Sequence, residues 1–558
     1  MKKIPYGISD YRKLQEGNYL YVDKTTYLST LENIGDTLMY LRPGRFGKSL
    51  FTSMMYYYYD INSEYLFESL FKSTSVYNNP TPNKNNYYVL TFDFSGLETS
   101  DANNKELKDK FKDKVIGGIR HFINYYNIKY EINEEKDSAI IIGSFLIEMS
   151  RVLNKKIYVI IDEYDNFTNA ILEGDMNRFK SVVGNEGTVK AFYATIKEHC
   201  KTGIVDRFFA TGICPITLNS MTTGFNIATD LSTDIRFNSM IGLTHNEVKE
   251  LLNEYENKEN MYAIMLENYD GYLFNKNLTK EDRTFNATLV MYFLKNYNDF
   301  NLMPEQLYDN NIVVNYGKIE NLIKLQNNTF YKELIEELLK SGEISGSLRS
   351  QFNLSVDFDR NDVISLLYYF GYLTIKKEIV RGNLIFKIPN RMMKETYNNY
   401  FIKILKDINI CLDNNKLNES VLEIINEGKI EKISQYVSEI LSLSDNRIFM
   451  KFDEKYIQAL YFGLLVGTKE YKVYSEYPTK NGYVDIMLIS HSEIMENNIM
   501  IELKYIKKSE YSKELLNKKC IEGKEQLSIY SEDERINKHL IKYLVVFVGN
   551  EVKVLEKL

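Results

Sequence analysis

A glycine-containing loop with a lysine and a serine lies between an apolar segment and a helical pattern near residue 45. The loop reads LRPGRFGKSLF over residues 41–51. Backbone N–H groups of such a loop, together with the positive end of the following helix, can bind phosphate oxygens. Lys48 would contact the β and γ phosphates, and the Ser49 hydroxyl would hold Mg²⁺. The residues expected to contact a nucleotide here are Gly44, Arg45, Phe46, Gly47, Lys48 and Ser49.

The loop departs from the standard phosphate-loop pattern at one position. That pattern has a glycine six residues before the lysine, and this chain has Arg42 there. The Gly-Lys-Ser end of the pattern is intact, and the strand–helix context is the one that a phosphate loop requires. A chance glycine turn at the start of a helix is the alternative interpretation.

An acidic pair follows a second apolar segment, which reads YVIIDEYD over residues 158–165. A strand that ends in two carboxylates has the form of a Walker B segment. Asp162 would hold Mg²⁺, usually through water, and Glu163 would orient or deprotonate the attacking water. A solvated turn is the alternative, but the pair follows the loop at the distance expected for two strands and their helices.

A third element, RFFATGICPIT over residues 207–217, reads as a strand that ends at Thr211 and Gly212. Thr211 lies where a sensor residue would contact the γ-phosphate or the water, and a purely structural strand end is the alternative. Position alone assigns no role to Asp165 or Arg236. Because three elements agree in type and order, the sequence predicts a nucleotide site with ATP and Mg²⁺ as cofactors.

A carboxylate–lysine set lies near the end of the chain. Asp485 interrupts an otherwise apolar strand pattern, and Glu502 and Lys504 lie two residues apart on the next strand, so they point to one face. Buried charges are costly unless they are paired or bound to metal. Asp485 and Glu502 would bind Mg²⁺ or Mn²⁺ through oxygen, and Lys504 would position or activate the attacking water.

A buried structural salt bridge is the alternative interpretation of this set. Glu476 is an accessory acid candidate at the end of the preceding strand, and Gln526 and Tyr530 lie on the following helix. For each of these, a solvated turn or helix residue is an equally good interpretation. The stretch from Lys504 to Lys524 carries seven lysines, which could bind nucleic-acid phosphates or form a charged helix face.

Four apolar strand patterns separated by helical patterns position the nucleotide residues. They predict an α/β domain with a mainly parallel sheet. The predicted strands are Thr37–Leu41, Tyr88–Phe94, Ile157–Ile161 and Arg207–Thr211, with a helix over Glu106–Tyr126.

The remaining elements divide into a mostly helical middle and a C-terminal α/β part. A helix over Asp362–Phe370 precedes two strand patterns joined by Arg381-Gly382, which resembles a winged-helix unit near residues 362–388; a helix on any small hairpin is the alternative. The C-terminal order is α-β-β-β-α-β. Its elements are Asp453–Val466, Tyr471–Tyr477, Tyr483–Ile489, Ile499–Tyr505, Lys513–Tyr530 and Tyr543–Val548.

Composition limits the class of protein. The 558 residues, 44% hydrophobic and 26% charged, are typical of a globular chain of several domains. No apolar run approaches the ~20 residues of a membrane span, and no apolar region follows the two N-terminal lysines. The four cysteines form no CxxC motif, which indicates a reducing compartment. The net charge of −7 excludes a generally basic surface but not a local basic groove.

Several segments resemble the AAA-ATPase-like family. They are residues 4–28, the loop RPGRFGKSLF, the strand YVIIDEYD, ATGICPIT and FNIATDLSTDIRF. In that family the loop commonly reads Arg-Pro-x-Arg-Phe-Gly-Lys-Ser, so Arg42 fits the resemblance. The segment YVDKT (Tyr21–Thr25) is also typical of the family, and both a nucleotide contact and plain packing would explain it. Residues 448–558 resemble the PD-(D/E)XK nuclease superfamily, which is the usual companion of this family.

The resemblance implies three domains in a cytoplasmic bacterial protein. They are an AAA-ATPase-like P-loop domain (1–225), a helical middle (226–445) and a restriction-endonuclease-like domain (446–558). The implied function is an ATPase coupled to a metal-dependent nuclease that acts on nucleic acid, with DNA favoured over RNA and no membrane partner. The alternative is a nucleotide-driven regulatory or interaction switch with an inactive nuclease fold. No arginine finger is identifiable, so an AAA-type ring is not inferred, and a homo-oligomer stays open.

Overall fold

The chain forms two compact units in the computed structural model, residues 1–331 with 343–391 and residues 332–342 with 392–558. The predicted division into three domains stays a prediction, because residues 225–226 and 445–446 lie outside the described residues. The structure describes residues 2–96, 104–166, 187–215, 228–304, 307, 334–335, 337–338, 341–352, 358–397, 400, 412–444, 453–466, 471–490, 497–533, 536 and 539–558.

A five-stranded parallel sheet forms the centre of the first unit, in the order β2-β3-β4-β1-β5. This confirms the predicted sheet, and each of the four predicted strands is present with ends shifted by at most two residues. Within this sheet, strand burial is highest at β1, β3 and β4, which have neighbours on both sides. The strands are β1 (Thr37–Leu41), β2 (Tyr88–Asp93), β3 (Ile157–Asp162), β4 (Val205–Gly212) and β5 (Thr229–Asp230).

Helices surround this sheet in the first unit. The helix Lys48–Tyr59 begins directly after the predicted phosphate loop, and Asn104–Tyr125 follows β2, as predicted. Further described helices are Tyr11–Glu16, Tyr27–Glu32, Phe67–Phe71, Ser75–Asn78, Ser138–Val152, Thr188–Lys201, His245–Leu252, Lys258–Asn268, Ala287–Phe300 and Arg360–Tyr369. Short 3₁₀ turns lie at Ile61–Leu66, Ile235–Phe237 and Lys280–Asp282.

The later part of the first unit adds two small antiparallel sheets. Strands β6 (Leu243–Thr244) and β7 (Thr284–Phe285) pair with each other. The predicted helix and hairpin are present as Arg360–Tyr369, β9 (Thr374–Val380) and β10 (Asn383–Lys387). Strand β8 (Glu343–Gly346) adds a third strand beside β10. Sequence analysis did not predict it, because its four residues show no apolar pattern. The winged-helix assignment stays a prediction.

The second unit contains a mixed five-stranded sheet in the order β11-β12-β13-β14-β15. Only the β13–β14 pair is parallel, because the helix Lys513–Tyr530 connects these two strands. The predicted α-β-β-β-α-β order is confirmed and is extended by β15. The strands are β11 (Tyr471–Thr479), β12 (Gly482–Ser490), β13 (Asn498–Ile506), β14 (Leu540–Val548) and β15 (Glu551–Lys557).

Apolar layers cover both faces of the second sheet. The helices Asn414–Glu427, Glu431–Ser444 and Glu454–Leu465 share one core with strands β11–β15. The helix Lys513–Tyr530 covers the other face, so closely that a Cβ on Gly523 would lie 2.4 Å from Leu544 Cδ1. The core of this unit therefore includes two helices that precede the predicted nuclease-like domain.

Two expectations from composition can be compared with the described residues. No helix among them is long and apolar enough to cross a membrane. The cysteines Cys200, Cys214 and Cys520 form no disulfide bond among the described residues, and Cys411 lies outside them.

Arg42, which replaces the usual glycine of the phosphate loop, is fully buried in the first unit. Its guanidinium donates to the carbonyl oxygens of Leu41 at 2.8 Å, Ser232 at 2.7 Å and Phe237 at 3.0 Å. The guanidinium carbon also lies 3.9 Å from the centroid of the Phe274 ring. Carbonyl dipoles and an aromatic face compensate a buried cation without a carboxylate. Arg42 thus joins the start of the loop to residues 232–274.

We expect Arg42→Met to destabilise the first unit by about 2–4 kcal/mol, because it leaves buried carbonyl oxygens without donors. Arg42→Lys should give a smaller loss, since lysine keeps the charge but not the planar fork. Thermal and urea unfolding of the full chain measure the change. Arg236→Met is the matched control, because the Arg236 side chain is 54% exposed beside Asp234. Equal effects of the Arg42 and Arg236 substitutions would contradict the anchoring role.

Candidate functional site

The carboxyl ends of three parallel strands bring the predicted nucleotide residues together. Leu41, at the end of β1, is in register with Gly212 of β4, and β4 lies between β1 and β3. Asp162 ends β3, and the N–H of Tyr164 donates to the carbonyl of Thr211 at 3.0 Å. The phosphate loop, Thr211 and the acidic pair therefore lie at one edge of the sheet.

Residues far along the chain hold the carbonyl groups of the loop. A peptide group is planar and trans, so a C=O and the following N–H point in opposite directions. Three successive carbonyls of the loop, those of residues 44–46, accept a hydrogen bond, so each N–H of residues 45–47 points away from the partner of the carbonyl before it. The bonds run from Asn286 Nδ2 to Gly44 O at 3.5 Å, Thr288 Oγ1 to Arg45 O at 2.6 Å, and Gly242 N to Phe46 O at 3.1 Å.

Lys48 lies at the start of the helix, and its side chain turns back into the loop. Its ammonium group donates to the carbonyl oxygens of Arg42 at 3.0 Å and Pro43 at 3.1 Å. Gly47, directly before it, has a φ of 109°, a conformation that favours glycine. The buried ammonium is thus held in the curve of the loop, where it can contact phosphate oxygens.

Asp162 and Ser49 lie close enough to fit a shared magnesium ion. Burial raises the pKa of Asp162 to about 6, and a hydrogen bond from Ser49 and the charge of Lys48 oppose that rise. A hydroxyl and a carboxylate oxygen are ligands that Mg²⁺ prefers. Glu163 follows in the left-handed conformation, with a φ of 50°, and its N–H donates to Asp162 Oδ1 at 3.1 Å. Such backbone strain is common at functional sites.

A cavity of about 310 Å³ opens beside the loop and reaches Glu163. Three separate parts of the first unit line it in addition to the loop, namely residues 5–24, 240–243 and 287–291. Most of these contribute apolar side chains, among them Ile8, Val22, Met240, Leu243 and Met291. An apolar cavity of this size next to a phosphate loop has the chemistry to take a nucleobase.

The segment Tyr21–Thr25 lines the cavity and packs against its surroundings, and a contact with a nucleotide stays a prediction. Tyr21, Val22 and Lys24 line the cavity. Asp23 accepts from the N–H and the hydroxyl of Ser75 at 2.7 and 2.6 Å, so it ties the segment to a neighbouring helix.

A partly buried ion pair fixes the same segment to later residues of the first unit. The Lys24 ammonium donates to Glu247 Oε1 at 2.7 Å and to the carbonyl of Ser239 at 3.0 Å. Glu247 is also part of a capping box with Thr244 at the start of the helix His245–Leu252. The ion pair therefore positions the cavity wall.

The structure gives Thr211 a different hydroxyl partner from the one a sensor needs. Thr211 is fully buried, and its Oγ1 donates to the carbonyl of Tyr40 at 2.9 Å. The sensor role therefore stays a prediction. Asp165 accepts from the N–H of Cys214 at 2.6 Å and fixes the end of β4, while Arg236 is exposed and paired with Asp234.

In the second unit, the predicted set converges where β12 and β13 separate. The described ladder between these strands ends at the pair of Ile486 and Ile501. One residue further, Asp485 Oδ2 accepts from the N–H of Leu503 at 2.9 Å in place of a ladder bond. Asp485 is buried together with Glu502 and Lys504 of β13.

Lys504 pairs with Glu502. Its ammonium lies 2.6 Å from Glu502 Oε1 and 3.8 Å from Glu454 Oε1. Burial lowers the pKa of Lys504, but the charges of Glu502 and Glu454 outweigh it and the net shift is upward. Burial, and then the charge of Asp485, raise the pKa of Glu502 to about 8.

One oxygen of this site is left without a protein partner. Glu502 Oε2 is buried and accepts no hydrogen bond from the described residues. Such an orphaned acceptor beside Asp485 fits a cation as its missing partner. No group of three or more metal-ligating side chains comes together in the described part of the chain, however, so a metal would depend on Asp485, Glu502 and water.

Sequence analysis missed Glu454. It is the first residue of the helix Glu454–Leu465, directly after the helix cap Asp453. An acidic residue in a first helical turn ordinarily stabilises the helix dipole, so its position gave no separate signal. Burial raises the pKa of Glu454, against the charge of Lys504.

The accessory candidates surround the same site. Glu476 has a φ of 58°, and its carboxylate pairs with Lys455 at 2.6 Å rather than with Lys504. Gln526 Nε2 donates to the Tyr530 hydroxyl at 3.4 Å, and its Oε1 is buried without a partner in the described residues. The Tyr530 ring closes over Gly482, where a Cβ would lie 2.7 Å from it.

Comparisons with known proteins agree with these two sites. Residues 5–222 match the model of a family described as predicted AAA-ATPase, and residues 452–557 match the PD-(D/E)XK nuclease superfamily. An uncharacterized protein in the vnfD 5′ region of Azotobacter chroococcum is 26% identical over 251 residues, which cover 44% of each chain.

A solved structure was also compared with the chain. The Aeropyrum pernix ORC1 protein in complex with DNA aligns with 69% of this chain and 96% of its own, with 9% identity and a TM-score of 0.29, too low to support an inference. The family matches stand on the sequence and agree with the sheets described above. The chain is therefore similar to the predicted AAA-ATPase family over residues 5–222 and to the PD-(D/E)XK nuclease superfamily over residues 452–557.

Proposed function

We propose that the first unit binds ATP with Mg²⁺ and hydrolyses it. The observation that carries this proposal is the hydrogen bonding of the loop carbonyls to Asn286, Thr288 and Gly242. The N–H groups of residues 45–47 therefore face away from these three residues. A loop arranged in this way before a nucleotide arrives has little reorganisation to undergo on binding. The adjoining apolar cavity supplies a place for the base.

The roles of the individual side chains follow from their positions. The Lys48 ammonium exchanges its two carbonyl partners for phosphate oxygens, which compensate its charge better. Ser49 and Asp162 hold the magnesium ion, which neutralises phosphate charge. Glu163 lies at the mouth of the cavity and orients the attacking water or accepts its proton.

We further propose that the second unit is a metal-dependent nuclease acting on nucleic acid, with DNA favoured over RNA. Asp485 and the orphaned oxygen of Glu502 would hold Mg²⁺ or Mn²⁺. A bound cation stabilises negative charge at the scissile phosphate. Lys504 then moves from Glu502 towards the attacking water or the phosphate.

A specific observation supports the alternative, a regulatory or interaction switch with an inactive nuclease fold. The Lys504 ammonium already donates to Glu502 Oε1 at 2.6 Å, and this contact needs no metal. Cleavage assays distinguish the two functions. Labelled single- and double-stranded DNA and RNA are incubated with the full chain and Mg²⁺ or Mn²⁺, with and without ATP; no cleavage of any substrate supports the switch.

Lys48→Ala should weaken ATP binding at least ~10-fold, because it removes the charge that meets the phosphates. Glu163→Gln should keep ATP binding and slow hydrolysis at least ~100-fold, since it removes the base but not Asp162. Calorimetry and a phosphate-release assay measure the two effects. If Lys48→Ala binds ATP as tightly as the parent chain, the phosphate-loop assignment is wrong.

Asp485→Asn and Glu502→Gln should each abolish metal-dependent cleavage, because each carboxylate supplies a proposed metal ligand. Lys504→Ala should also abolish cleavage but leave Mn²⁺ binding largely intact, since lysine acts on water or phosphate. Glu525→Gln, an exposed substitution on the helix Lys513–Tyr530, is the control. Cleavage by the Asp485→Asn variant at the parent rate would refute the metal site.

The free energy of unfolding in EDTA should fall as the pH rises from about 5 to about 8. The pKa of Glu502 is about 8 in the folded chain, against an ordinary value of 4.5, so the folded state keeps a proton that the unfolded state releases. The slope from this group is at most ~1.4 kcal/mol per pH unit. Urea unfolding should show a smaller slope for Glu502→Gln than for the parent and for Glu525→Gln. Equal slopes for all three chains would show that Glu502 is ionised throughout.

A further inference from the structure

The carbonyl of Arg45 accepts two hydrogen bonds from one residue that lies more than 240 positions later. Thr288 donates to it through its N–H at 3.3 Å and through its Oγ1 at 2.6 Å. Arg45 has a φ of 66°, which is unfavourable for a residue with a side chain. The two bonds hold a strained residue in the middle of the phosphate loop.

Thr288 itself is rigidly placed. It lies in the first turn of the helix Ala287–Phe300, and Asn286 caps that helix by accepting from the N–H of Leu289 at 3.3 Å. Leu289 and Phe293 are fully buried and anchor the helix in the core. The donor therefore cannot follow the loop if the loop relaxes.

The consequence concerns one peptide group. If the Arg45 carbonyl loses its main donor, the strained backbone can relax and the peptide between Arg45 and Phe46 can rotate. The N–H of Phe46 belongs to this peptide group. After the rotation it no longer points away from Thr288, towards the proposed position of the phosphates. Arg45, Phe46 and Thr288 also line the apolar cavity, but valine has nearly the volume of threonine, so Thr288→Val leaves the shape of that cavity nearly unchanged.

We propose that Thr288 is a positioning residue for the nucleotide phosphates, acting through the Arg45 carbonyl. This inference rests on the proposed binding of ATP by the first unit. Thr288 touches the loop from behind, so its hydroxyl orients a peptide group and takes no part in the chemistry. The helix Ala287–Phe300 thereby sets how well the loop binds phosphate.

The test compares ligands with and without phosphates. Thr288→Val keeps the shape of the side chain and removes its donor, and Thr288→Ser restores the donor. Binding of ATP, ADP and adenosine to the full chain is measured by calorimetry. Thr288→Val should weaken ATP and ADP about 10-fold, the usual effect of one lost hydrogen bond, and change adenosine binding less than about 2-fold. Thr288→Ser should bind all three like the parent.

Thr195→Val is the matched control. Thr195 lies in a helix as Thr288 does, but its hydroxyl donates within that helix, to the carbonyl of Ala191 at 3.0 Å. Parent-like ATP affinity of Thr288→Val overturns the inference and leaves the proposed ATP site standing. An equal loss for adenosine and ATP also overturns it, since Thr288 would then shape the cavity only. A parent chain that binds no ATP overturns both proposals. If Thr288→Val does not fold, as judged by circular dichroism, Thr288→Ala is measured with the same expected outcomes.

Discussion

The proposed nucleotide site depends on one geometric constraint, the opposite directions of a carbonyl and the following N–H in a peptide group. Gly242, Asn286 and Thr288 bind the carbonyls of the loop, so its N–H groups face the other way. Arg42 adds a second attachment, to the carbonyls of residues 232–238. The strand β1 and the helix after it place the loop, but residues 232–288 decide its conformation.

This dependence extends the functional region beyond the part that matches the predicted AAA-ATPase family. That match ends at residue 222, whereas the residues that hold the loop follow it. The cavity has the same composite origin, since residues 5–24 and 240–291 both line it. A fragment that ends near residue 225 would keep β1–β4 and lose both β5 and the residues that hold the loop carbonyls.

The second unit handles buried charge differently. In the first unit, carbonyl dipoles compensate the cations Arg42 and Lys48, which leaves Asp162 and Ser49 available to a metal ion. In the second unit, Lys504 lies against Glu502, and one carboxylate oxygen stays without a partner. The first site is thus arranged for its proposed ligand, whereas the second must exchange an internal ion pair for a metal.

The sequence by itself determined the parallel sheet, the order of the C-terminal elements and the residue types of both sites, because apolar strand patterns and strand-end charges are local signals. It did not give Asn286, Thr288 or Glu454, since a helix cap, a first-turn threonine and a first-turn acid look ordinary in sequence. Strand β15 was also not predicted, because charged residues interrupt its apolar pattern. Its pairing with β14 stabilises it as a strand. Only the tertiary structure decided which residues bind the carbonyls of the loop and which acid pairs with Lys504. Both depend on contacts that the local sequence pattern does not show.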